Sequence, residues 1–142
     1  MKFDNETEIQ CYLYSNLSGM QKLLRNIIKD LYKIEVNEEE IKYVGVEYSI
    51  PNKFASSWDR GRKRIDILYS VRDIFIPIEI KQYASPDSIE QVEKYAKQLE
   101  IYFNKKSLCG VIGNRISKYT KNEINNKSNT FWFELESMTW GV

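Results

Sequence analysis

Between Arg60 and Tyr83 the chain reads RGRKRIDILYSVRDIFIPIEIKQY, and three ionisable residues, Asp66, Glu79 and Lys81, interrupt its apolar runs. An ionised carboxylate inside such a run is costly to desolvate unless something pairs with it. Two carboxylates brought together repel, and one takes up a proton unless a cation intervenes. A hard divalent ion prefers carboxylate, carbonyl and water oxygens. Such an ion polarises a phosphoryl oxygen and acidifies a bound water, and a neighbouring ammonium can position that water or stabilise developing charge. The plainer reading is that Glu79 and Lys81 form the wet face of a half-exposed strand, paired with each other or across strands.

The chemistry needs elements that bring the three together. Alternate residues of a strand share a face, so Glu79 and Lys81 project together, with Ile78 and Ile80 opposite. RKRIDILYS and DIFIPIEIKQY read as two strands joined by a tight connection near Val71–Asp73, which sets Asp66 close to Glu79 or one pair away. Pro77 donates no ladder hydrogen bond and belongs at a bulge or where its missing N–H goes unused. Upstream, Asp4 or Asn5 can cap a helix carrying Ile9, Leu13 and Leu17, and SNLSG breaks it. Leu23, Leu24, Ile27, Ile28 and Leu31 mark a second helix, NEEE a charged turn, and IKYVGVEYSI a strand. PNKFASSWDRG is a loop. After the hairpin, SPDSIEQVEKYAKQLEIYFN is a helix capped by Ser85 or Asp87, with Ile89, Val92, Ala96, Leu99 and Phe103 on one face. SLCGVIG reads as a strand buried on both faces, RISKYTKNEINNKSN as a short polar helix, and TFWFELESM as a last strand, with Phe131, Trp132 and Phe133 packing. The expected order is ααβββαβ(α)β: one α/β domain over residues 1–142, a central mixed sheet flanked by helices.

Composition narrows the chemistry further. The 142 residues suit one core, and 42% hydrophobic with 29% charged residues suits a folded domain. No stretch approaches the ~20 apolar residues that span a bilayer. The polar, acidic start MKFDNETEIQ does not read as a signal peptide, and Cys11 and Cys109 are isolated, so a cytoplasmic protein with reduced thiols is expected. Histidine is absent, which removes the usual general base, His-containing triads and His-rich zinc sites. Net charge is only +1, yet Lys53, Arg60, Arg62, Lys63 and Arg64 cluster just before Asp66, opposed by Asp59 alone. That cluster is either a solvated loop or a phosphate-contacting patch. Trp58 within it either pins the loop or stacks on a base.

Asp66 in RIDIL followed by Glu79-Ile80-Lys81 in IEIK resembles the PD-(D/E)XK nuclease superfamily. Gln91 and Tyr95 in QVEKY, ten residues past Lys81, resemble the Gln-x-x-x-Tyr of its RecB-like and resolvase-like members. The Pro of the superfamily's name is absent, with Ile65 in its place. A second Glu-Ile-Lys, at residues 40–42, follows an acidic run and has no Asp-bearing strand before it. The resemblance covers about residues 41–103 and implies a restriction-endonuclease-like fold. It also implies that Asp66, Glu79 and the Ile80 carbonyl hold Mg2+, with Mn2+ as a substitute, and that Lys81 assists the attacking water. Gln91 and Tyr95 would support the site. Members often add a Glu from the first helix: Glu8 is the first candidate, Glu6 and Glu47 its rivals, although Glu8 also stands at capping-box spacing from Asn5.

The expected function is therefore a metal-dependent nuclease hydrolysing phosphodiester bonds, DNA ahead of RNA, with residues 53–64 gripping backbone phosphates and no membrane partner. A homodimer is expected, since a lone domain of this size often pairs to cut both strands. The alternatives are an inactive nuclease-fold module that binds nucleic acid or protein, and an RNA-cleaving enzyme.

Overall fold

The computed structural model describes residues 2–49 and 64–142, with side chains described for 2–45 and 65–142. Helix α1 (Glu6–Ser15) begins where Asn5 caps it: Asn5 Oδ1 accepts the Glu8 backbone N–H at 2.9 Å, satisfying a donor that has no partner inside the helix. A single residue, Asn16, separates it from α2 (Leu17–Tyr32), whose Leu23, Leu24, Ile27 and Ile28 are buried. Each such side chain contributes about 1.5–3 kcal/mol on leaving water, so this stripe fixes which face of α2 meets the sheet. The charged turn is a short 3₁₀ segment, Glu38–Glu40.

The strands are β1 (Ile41–Ser49), β2 (Arg64–Val71), β3 (Ile74–Ala84), β4 (Lys106–Ser107), β5 (Cys109–Ile116), β6 (Thr130–Glu134) and β7 (Thr139–Gly141). Their order across the sheet is β1-β2-β3-β5-β6-β7, with β4 beside the start of β3. The β1–β2, β2–β3 and β6–β7 pairs are antiparallel, and β3, β5 and β6 run parallel. Parallel neighbours need crossovers; α3 (Pro86–Phe103) supplies the first and α4 (Lys118–Asn125) the second. The described residues thus form a seven-stranded mixed sheet flanked by four helices, the expected fold class. Two of its strands were not expected: β4 and the β7 that follows the anticipated last strand.

Helices cover both faces. Ile67, Ile76, Ile78, Ile80 and Phe133 meet α1 and α2 in the main core. On the other face Leu68 and Phe75 meet Tyr95 and Leu99 of α3, and Val111 and Trp132 meet Val92, Ala96 and Ile124. Phe131, Trp132 and Phe133 all pack, as expected. The Phe75 carbonyl accepts the Leu108 N–H at 2.7 Å. Pro77, two residues on, faces the same side where β4 gives way to β5, so its missing N–H falls at a break in the ladder. Among the described residues no helix is long and apolar enough to cross a membrane.

Candidate active site

The hairpin between β2 and β3 sets the site. Its turn is Arg72–Asp73, with Arg72 at φ 51, the positive φ that two-residue hairpin turns use. Val71 pairs with Ile74 and Ile67 with Ile78, which aims Asp66 at Glu79. The backbone ladder stops at Ile67–Ile78. Beyond it the Asp66 carboxylate takes the place of a ladder acceptor, its Oδ2 receiving the Ile80 N–H at 2.8 Å. In an extended strand the C=O of a residue lies on the same edge as its N–H, so the Ile80 carbonyl turns toward the gap that β2 leaves.

Glu79 lies beside Val111 on the α3 side of the sheet and is 3% exposed. Its carboxyl is in hydrogen-bond contact with that of Asp66. Lys81 Nζ stands 3.8 Å from Glu79 Oε1, with its side chain 36% exposed. The three groups converge, and the ammonium faces solvent while the acids lie beneath it. Glu79 Oε2 is buried without a hydrogen-bond partner among the described residues. Burial, then the neighbouring Asp66 charge, push the Glu79 carboxyl up to about 8. Burial also raises Asp66, against the opposing hold of the Ile80 N–H.

Helix α1 closes the site from the N-terminal side. Gln10 Nε2 donates to the Asp66 carbonyl at 3.4 Å, and Glu6, one turn earlier on the same face, adds its negative charge to the field at both acids. Glu6 and Glu8 are both exposed; the charge of Glu6 reaches the two acids, and the backbone N–H of Glu8 donates to the Asn5 cap. Gln10 was not anticipated at all. The backbone of Phe3 is clamped between two side chains, its N–H donating to Asn114 Oδ1 and its carbonyl accepting from Gln82 Nε2.

Gln91 and Tyr95 are brought to each other: Gln91 Nε2 donates to the Tyr95 hydroxyl at 2.9 Å. The Tyr95 ring packs with Ile65, Leu68 and Leu99. Lys53, Arg60, Arg62 and Lys63 lie outside the described residues, as do the side chains of Glu47 and Arg64.

Among the described residues no three Asp, Glu, His or Cys side chains form a metal cluster, so a cation here would take a carbonyl beside Asp66 and Glu79. The donors fit a hard ion: two carboxylates forced together, one with an unpartnered buried oxygen, leave lone pairs that only a proton or a cation can use.

No family model and no curated protein matches the chain. Two solved structures are similar to it. A repair endonuclease from Pyrococcus abyssi is 15% identical over 79% of this chain and 45% of its own, with a TM-score of 0.52. The EndoMS-dsDNA2 complex is 14% identical over 81% of this chain and 43% of its own, with a TM-score of 0.50. The chain spans under half the length of either. The likeness is one of fold: this mixed sheet between helices is an architecture that repair endonucleases carry.

Proposed function

We propose that this chain is a metal-dependent nuclease of the PD-(D/E)XK type, hydrolysing phosphodiester bonds, DNA ahead of RNA. The observation that carries this reading is the convergence of Asp66, Glu79 and Lys81 around a buried carboxylate oxygen that has no hydrogen-bond partner among the described residues. The endonuclease neighbours support it through the fold, one of them in complex with double-stranded DNA.

Asp66, Glu79 and the Ile80 carbonyl would hold the cation. Mg2+ bound there supplies a Lewis acid for the phosphoryl oxygen and lowers the pKa of a bound water. Lys81, at the wet edge, orients the attacking water and balances negative charge as it builds on the phosphoryl oxygens. The Ile80 N–H fixes the Asp66 rotamer, and Gln10 fixes the backbone behind it. Gln91 and Tyr95 brace α3 against the sheet, and the basic stretch 53–64 would hold phosphates on either side.

Calorimetric titration with Mg2+ and Mn2+, joined to cleavage assays on single-stranded, duplex and branched DNA and on RNA, tests the proposal. Lys81→Ala is expected to keep metal affinity while cleavage falls by roughly 10²-fold or more. A wild-type chain that neither binds the ions nor cuts any substrate would refute it.

A further inference from the structure

Phe3 lies outside every helix and strand, yet it is buried, its ring 5.2 Å from that of Tyr12. A buried backbone needs partners for both its N–H and its C=O. With no ladder to supply them, two carboxamides do. Asn114 Oδ1 accepts the Phe3 N–H at 3.2 Å, and Gln82 Nε2 donates to the Phe3 carbonyl. Asn114 is 1% exposed. Gln82 Oε1 is buried without a hydrogen-bond partner among the described residues. An orphaned oxygen offsets much of what a donated bond contributes, so stability alone gives little reason for a glutamine here.

The location supplies another reason. Gln82 follows Lys81 on β3, Asn114 follows Gly113 on β5, and Lys81 pairs with Gly113. The tie therefore grips the rungs that carry Lys81 from the opposite face, the one that Ile80 and Ile112 line. Two residues after Phe3, Asn5 caps α1. That helix buries only Ile9 and Leu13. Apolar burial is non-directional, so two such anchors do not by themselves fix how the helix slides or rolls. Hydrogen bonds are directional. Those at Phe3 fix where α1 starts, and with it the height at which Gln10 meets the Asp66 carbonyl.

We propose that Asn114 and Gln82 are positioning residues for the reaction: by tying Phe3 to the β3–β5 rungs they set α1 so that Gln10 engages Asp66. The proposal rests on the nuclease reading and extends it to side chains on the face of the sheet away from the acids. Lys81 and α1 thereby take their places from the same two rungs.

The test reads the tie without metal and its effect with metal. In the metal-free chain, a nuclear Overhauser contact between the Gln10 carboxamide and the Asp66 backbone is expected in the wild type, lost in Asn114→Leu and weakened in Gln82→Met. Phe3→Leu keeps the clamped backbone and trims only the ring, so it lowers the thermal midpoint and keeps the contact. With Mn2+, calorimetry is expected to show several-fold weaker binding for Asn114→Leu and for Gln10→Ala, with no further loss when the two are combined. Phe3→Leu binds Mn2+ as the wild type does. Should Asn114→Leu not fold, Gln82→Met carries the same comparison. A Gln10 contact unchanged in these variants, losses that multiply in the double variant, or a Phe3→Leu chain as impaired as Asn114→Leu would overturn the positioning role and leave the nuclease reading standing. A wild type that shows the contact but neither binds Mn2+ nor cuts any substrate would bring down both.

Discussion

Glu-Ile-Lys occurs twice in this chain, and the two copies sit in opposite surroundings. The Glu40 carboxylate accepts from the Asn37 N–H at 2.8 Å and from Arg72 through Nε at 3.1 Å and Nη2 at 3.4 Å. The bond from Arg72 holds its carboxyl below the usual range. The Glu79 carboxylate has a lysine at 3.8 Å, an acid in contact and one buried oxygen with no hydrogen-bond partner among the described residues. Three letters of sequence are identical; the hydrogen bonds are not. A carboxylate whose lone pairs are filled has a structural task. One that is buried, crowded by another acid and left with an open lone pair is unfavourable as an anion until a cation arrives.

The largest effect should come from neutralising one copy at a time. Glu79→Gln is expected to lower Mg2+-dependent cleavage by roughly 10³-fold, the scale of several kcal/mol of transition-state stabilisation, while Glu40→Gln leaves the rate unchanged. Equal losses in single-turnover assays would erase the distinction between the copies.

Next comes the pH dependence of stability, where the copies carry opposite signs. The Glu79 carboxyl moves from an ordinary 4.5 to about 8. Across that window the folded chain keeps a proton that the unfolded chain has released, so its contribution to stability falls as pH rises. Asp66, also raised, acts in the same direction. Glu40, lowered, stabilises above its unfolded pKa, and that contribution is lost as pH falls through its folded pKa. Melting curves in EDTA should therefore show a decline toward alkaline pH that Mg2+ removes and Glu79→Gln flattens. A slope shared by wild type and Glu79→Gln would count against the buried pair as its source.

The smallest effect sharpens the boundary of the site. Glu6→Gln is expected to weaken Mn2+ binding only several-fold, the effect of one partly screened charge, and Glu8→Gln not at all. Calorimetry showing the reverse would restore Glu8 to the place the sequence first suggested for it.

Much of this was legible before any coordinates. The apolar spacing of Leu23, Leu24, Ile27 and Ile28 gave α2, and the tight connection after Val71 gave the hairpin that joins Asp66 to Glu79. What stayed hidden depends on contacts remote in sequence. β4 and β7 are two and three residues long, too short for any period of their own, and exist because β3 and β6 offer them an edge. The choice between Glu6 and Glu8 depends on how α1 is rotated against the sheet, which Ile9, Leu13 and the Gln10–Asp66 bond decide together.

The two-residue turn at Arg72–Asp73 lies about 20 Å along the strand from Asp66, yet it sets the alignment of Asp66 with Glu79 by counting. One residue more or fewer there would put the hairpin out of phase, trading an acid for an isoleucine opposite Asp66. Natural variation at this turn should thus be frozen in length and narrow at Arg72, whose φ is positive and whose guanidinium holds Glu40: a remote surface loop that sets, through arithmetic, which side chain faces Asp66.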